Sequence, residues 1–125
     1  MTFFGGIRLM ADCPLKVHNV YGGGNYAPYT PDSVTINGVK QTPVSPIVNI
    51  NHTRTPNTFT GSVYGGGLGE TAIVTANPQV TIGDTNRLHT ALVGTNVFGG
   101  GSFGNVVGNT TVLIQNANTP VSGDV

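Results

Sequence analysis

Three V-x-I triplets, Val48-Asn49-Ile50, Val80-Thr81-Ile82 and Val112-Leu113-Ile114, stand thirty-two residues apart. A second signature alternates with them, a valine and an aromatic followed by three glycines: "VYGGG" at 20–24, "VYGGG" at 63–67 and "VFGGG" at 97–101. A period in the low thirties restricts the fold sharply. Each unit is too short to bury an apolar face alone and has to stack on its neighbours. From the first glycine of each triplet to the next V-x-I valine the distance is 26, 15 and then 13 residues, so the first copy carries an insertion, residues 25–46.

The apolar segments are short, β-branched and bounded by Gly, Pro and Asn: "KVHNVY", "PIVNIN", "QVTIG", "NTTVLIQ". This is strand chemistry, and no stretch keeps helical i, i+3, i+4 periodicity. Within V-x-I the outer two residues share a face and the middle one points away. Stacking the copies predicts inner columns Val48/Val80/Val112 and Ile50/Ile82/Ile114, with Asn49/Thr81/Leu113 outside. The valines Val20, Val63 and Val97 are expected to pack inward, and Tyr21, Tyr64 and Phe98 to stack outward as a short ladder. The glycine triplets are read as corners, through access to φ > 0 and through close backbone approach.

The expected fold is therefore all-β: a β-solenoid, with a right-handed parallel β-helix of about three coils as the specific form. Residues 1–16 read as an N-terminal flank or partial coil, and 17–125 as the repeats. In the insertion, "VTINGVKQ" signals a hairpin, since Asn37-Gly38 suits a type I′ turn. An antiparallel β-sandwich is the competing architecture, but it needs hairpins throughout and one good hairpin signal is present. Open ends would expose unpaired strand edges. The chain is thus expected to continue into further copies of the repeat or to associate end to end.

Charge narrows the function classes. Only 8% of the residues are charged, and Lys+Arg equals Asp+Glu, where about 25% charged is usual. A nucleic-acid footprint needs a Lys/Arg surplus, and a polybasic membrane-surface segment needs the same; neither is expected. Cys13 stands alone, which rules out an internal disulfide. "LMADC" is not read as a lipid-anchor site, because Asp12 precedes the cysteine where a small residue is expected. No run approaches the ~18 apolar residues of a membrane span, and "MTFFGGIRLM" does not read as an export signal.

"NVYGGG…VNI", "SVYGGGLGE…VTANPQVTIGD" and "NVFGGGSFGNVVGNTTVLIQNA" resemble the V-[YF]-G-G-G-x-x-G-x-V-x-G-N-T-x-V-x-I repeats of large cell-surface proteins of gut anaerobes, described as adhesin-like or β-helix proteins. The third copy matches best, over Asn96–Ile114; the second lacks the G-N-T piece and the first is interrupted by the insertion. The resemblance implies a β-helix and an extracellular or cell-surface location, with any export signal outside this segment. It says little about activity, since function on shared folds lives in local sites.

Motifs that carry chemistry are sparse. Gly99-x-Gly101-x-x-Gly104 has dinucleotide-fingerprint spacing but is followed by strand-like "NVVGNTTVLI", not by the helix that would meet a pyrophosphate. "GGLGETAIV" approaches a calcium β-roll repeat but supplies only Glu70, where several carboxylates are needed. The five acids, Asp12, Asp32, Glu70, Asp84 and Asp124, fall at different phases of the repeat, so stacking does not gather them for catalysis. His52 and Arg54 follow the first V-x-I, and Asp84 and Arg87 the second; these are read as a surface ion-pair patch. No metal, cofactor or catalytic group is expected. Asn51-His52-Thr53 and Asn109-Thr110-Thr111 are glycosylation sequons, and Asp32-Ser33-Val34 resembles a short O-glycosylation signal.

Tyr26 and Tyr29, beside the proline-flanked hairpin, together with Tyr21, Tyr64 and Phe98, are the candidate ligand-binding residues. The expected function is a structural, adhesin-like repeat segment: a rigid spacer displaying loops to glycans or surface proteins. The alternative is a β-helix carbohydrate-active enzyme, a polysaccharide lyase or a tail-spike-like depolymerase, which would need two or three carboxylates gathered in a groove.

Overall fold

Each short β-branched segment forms a strand, and each strand finds its partner one repeat away. The computed structural model describes residues 2–4, 7–11, 17–30, 35–40, 45–53, 61–83, 85, 91, 93–115 and 125. Among these the chain is all-β and without a helix. One four-stranded sheet has the order β1 (Thr2–Phe4), β3 (Asn19–Tyr21), β7 (Val63–Tyr64), β9 (Val97–Phe98). The other has the order β2 (Ile7–Ala11), β6 (Ile47–Thr53), β8 (Gln79–Ile82), β10 (Thr111–Ile114). The chain therefore visits the two sheets alternately, and every pairing within them is parallel. That excludes an antiparallel sandwich for the described residues. A two-stranded antiparallel hairpin, β4 (Thr35–Ile36) and β5 (Val39–Lys40), turns through Asn37 and Gly38, both at positive φ. This is the turn that Asn-Gly predicts.

The register is the one the repeat implies. Val48, Val80 and Val112 are successive partners, as are Ile50, Ile82 and Ile114. In the other sheet Val20, Val63 and Val97 align, followed by Tyr21, Tyr64 and Phe98. A further line of single parallel bridges joins Tyr29 to Val74 and Val74 to Val106. The N-terminal segment adds one more strand to each sheet: Phe3 and Phe4 pair with Val20 and Tyr21, and Ile7 and Leu9 with Val48 and Ile50. In sequence, residues assigned to a flank or partial coil thus repeat both signatures in compressed form, "FFGGIRL".

Val17, Val20, Val48, Ile50, Val63, Val80, Ile82, Ala91, Val93 and Val97 form one buried cluster, and Val112 packs against it partly buried. Burying each large member contributes about 1.5–3 kcal/mol. Ile114 departs from the expected inner column: it is 38% exposed. It lies on β10, an outermost strand of its sheet, so among the described residues no further strand covers it.

Polar side chains stitch the rungs together. The Asn19 Oδ1 accepts from the Ser62 N–H at 2.8 Å, and the Ser62 Oγ from the Asn96 N–H at 3.2 Å. Before the other sheet, Ser45 Oγ accepts from Asn77 N–H at 3.2 Å and Asn77 Oδ1 from Asn109 N–H at 2.9 Å. The buried Asn51 donates from Nδ2 to the Gly83 carbonyl at 3.0 Å. Asn51 is therefore committed to the interior, which removes the first sequon as an attachment point; Asn109 of the second is exposed.

The glycine triplets work differently from the first expectation. None of their nine residues has positive φ. Gly22, Gly23, Gly65, Gly66, Gly67 and Gly101 are glycine because neighbouring rungs touch there. A Cβ on Gly22 would run into the Gly65 carbonyl oxygen, and one on Gly65 into that of Gly99. A Cβ on Gly23 would lie 2.8 Å from the Gly67 nitrogen, and one on Gly66 would lie 2.6 Å from that of Gly101. The rungs are held this close by backbone bonds, Gly22 N–H to Tyr64 O and Gly65 N–H to Phe98 O, each 2.8 Å.

Candidate functional site

The left-handed position of each corner comes two residues after the triplet, at Tyr26 (φ 53°), Gly69 (φ 92°) and Phe103 (φ 64°). These occupy equivalent places in "GGGNY", "GGGLG" and "GGGSF". Backbone bonds lock the column: Tyr26 N–H to Leu68 O and Gly69 N–H to Ser102 O, each 2.8 Å. Only the middle rung uses the residue that tolerates this backbone. A bulky residue there is a conformational outlier, costing about 1–3 kcal/mol.

The two aromatics do not recover that cost by burial, for Tyr26 is 65% and Phe103 84% exposed. Between them the missing side chain of Gly69 leaves room, and the Tyr26 ring lies across it: a Cβ on Gly69 would run into the Tyr26 ring. The result is an open cleft of about 350 Å³ lined by Tyr26, Gly69, Glu70, Thr71 and Phe103. The Thr71 hydroxyl donates to the Tyr26 carbonyl at 2.6 Å, tying the rim to the aromatic's backbone. The Thr71 proton is thus used, while its oxygen can still accept. An ionised Glu70 carboxylate also only accepts. The cleft combines exposed aromatic surface with an acceptor-rich edge.

Of the five aromatics singled out from sequence, only Tyr26 lines this cleft. Tyr29 is half-buried and its backbone is built into a ladder, with its N–H bonded to Ile73 O and its carbonyl accepting from Thr75 N–H. Tyr21, Tyr64 and Phe98 form the predicted stack, with centroids 4.8 Å and 5.0 Å apart and planes within 6° and 15°. They are not uniformly outward. Tyr21 is buried, Tyr64 half-buried and Phe98 38% exposed, because Phe98 ends its sheet. Burial raises the Tyr21 phenol above its ordinary value of 10.0, the neighbouring Tyr64 adds to this, and a hydrogen bond with Asn19 opposes it.

Phe103, Glu70 and Thr71 were missed as a site. The available signal was the fifth position counted from each triplet's first glycine, occupied by Tyr, Gly and Phe. The Gly-rich fingerprint at 99–104 serves packing: Cβ atoms on Gly101 and Gly104 would each come within 2.6 Å of a backbone carbonyl oxygen of the adjacent rung. Among the described residues no three His, Cys, Asp or Glu side chains gather as metal ligands, and no helix is long and apolar enough to cross a membrane. Cys13, Arg54, Asp84 and Arg87, and with the latter three the ion-pair patch, lie outside the described residues, as does the 32–34 signal. No protein-family model, curated protein or solved structure matches the chain.

Proposed function

We propose that this chain is a stretch of a β-solenoid, of right-handed parallel β-helix form, within an exported cell-surface repeat protein. There it acts as a stiff spacer whose corners and inserted hairpin are displayed for adhesion to glycans or surface proteins. One observation carries the reading: the thirty-two-residue register holds across β6, β8 and β10 while the chain alternates between two parallel sheets. Such stacking adds length with each copy and confines variation to loops. The likeness of the V-[YF]-G-G-G units to adhesin-like surface repeats supports the location, and the outermost strands leave edges on which further copies fit.

The register is tested by disulfide trapping in a Cys13→Ser background. Asn49 and Thr81 are Cα partners, and adjacent strands lie about 4.8 Å apart, within disulfide reach. Asn49→Cys with Thr81→Cys should cross-link within one chain, whereas Asn49→Cys with Leu113→Cys, two rungs apart, should not. The reverse pattern would remove the stacked architecture. For the location, antibodies against this chain should label intact source cells. Labelling only after lysis would dismiss the surface role.

A further inference from the structure

We infer that the cleft between Tyr26 and Phe103 is a binding site for one or two sugar rings of an oligosaccharide. The inference deepens the display reading by naming the ligand class and the residues that take it.

Three observations converge. First, two rungs place a large aromatic at a backbone position that the rung between them fills with glycine. Both rings are mostly in solvent, so packing does not explain their presence. Outliers of this kind concentrate at ligand clamps. Second, neighbouring parallel strands lie about 4.8 Å apart, so the outer two rungs are separated by roughly twice that. The Tyr26 ring lies over the bare backbone of Gly69, so it forms one wall of the cleft and Phe103 on the next rung the other, and a ligand ring rests against them at ordinary carbon contacts of about 3.5–4 Å. Third, the polar edge accepts rather than donates. Glu70 is a carboxylate, the Thr71 proton is spent on the Tyr26 carbonyl, and no Lys or Arg is among the described lining. The matching ligand has an apolar face for the rings and several hydroxyl donors around its rim. A saccharide ring has both. The cleft volume, about 350 Å³, lies at the low end for ligand pockets, so the remainder of an oligosaccharide would stay in solvent.

The test is a titration of the full isotope-labelled chain with soluble cello-, xylo-, manno- and chito-hexasaccharides, followed by NMR. At least one should shift the amides of Glu70, Thr71 and Phe103 with millimolar or tighter affinity. Phe103→Gly removes the ring and suits the left-handed backbone. It should weaken binding about tenfold while leaving the melting temperature unchanged or raised. Glu70→Gln should weaken binding with the fold intact. The proposal is overturned if none of the four binds, if shifts map away from the cleft, or if Phe103→Gly lowers the melting temperature, which would make the ring a packing group. Saturable binding of choline or of an aromatic peptide at these residues without any of the sugars would also overturn it. None of these outcomes changes the disulfide pattern or the cell labelling, so the cleft and the spacer reading stand or fall separately.

Discussion

A methyl group distinguishes two kinds of glycine in this chain. On Gly65 it would meet the Gly99 carbonyl oxygen and press on the Pro78 side chain, whereas on Gly100 it would meet nothing within 4 Å. Gly65→Ala should therefore force two hydrogen-bonded rungs apart and cost about 1–3 kcal/mol or more, as overpacking does. Gly100→Ala should be neutral or stabilise by up to about 1 kcal/mol through the unfolded chain. Urea denaturation of the two variants checks both; equal effects would contradict the role given to the triplets. The triplets themselves are legible in sequence, but their reason is not. A run of glycines signals either a left-handed turn or close approach, and only the neighbouring rung decides between them. The left-handed residue, two places later, carries no fixed side-chain type, so Tyr26 and Phe103 do not announce themselves as a pair.

At the scale of the element, the aromatic ladder couples stability to alkaline pH. Tyr21 ionises above its ordinary value of 10.0 when folded, because its buried site disfavours the phenolate and Tyr64 adjoins it. The folded state thus holds the proton more tightly than the unfolded one. The resulting stabilisation is fully present below about pH 10 and is lost as pH rises through the raised value. Denaturation midpoints should fall as the pH rises above about 10, and Tyr21→Phe, which cannot ionise, should flatten that fall. An unaltered slope in the variant would show that another group governs it. The ladder was readable from Tyr21, Tyr64 and Phe98 standing at one phase of the repeat. Their graded exposure was not, since it follows from rank in the sheet: an inner rung is covered on both sides and a last rung on one.

For the whole molecule, what matters is how the stack ends. Among the described residues β9 and β10 pair on one side only, and Phe98, Leu113 and Ile114 are exposed there. At the other end β1 and β2 are likewise outermost. If the chain associates end to end as proposed, the two different outermost edges among the described residues make that contact head to tail, which does not close into a ring unless rotation allows it. Sedimentation velocity should show the sedimentation coefficient rising with concentration. Ile114→Lys, a charged block on an already exposed edge position, should suppress that rise with little change in melting temperature. Concentration-independent behaviour of the unaltered chain would argue against end-to-end growth.

The amino-acid sequence by itself determined which residues lie above one another. Strand alternation has a period of two, so a one-residue slip would turn Val48, Ile50, Val80 and Ile82 outward, and the thirty-two-residue recurrence of V-x-I points to the register in which they stack inside. It also marked the hairpin, through Asn37-Gly38. The tertiary structure alone decided what depends on neighbours from other rungs. It placed Phe3 and Phe4 in one sheet and Ile7 and Leu9 in the other, left Ile114 exposed, buried Asn51, and opened a cleft where Gly69 separates two aromatics. Register is written in local spacing, whereas exposure and cavities arise only when separate rungs meet.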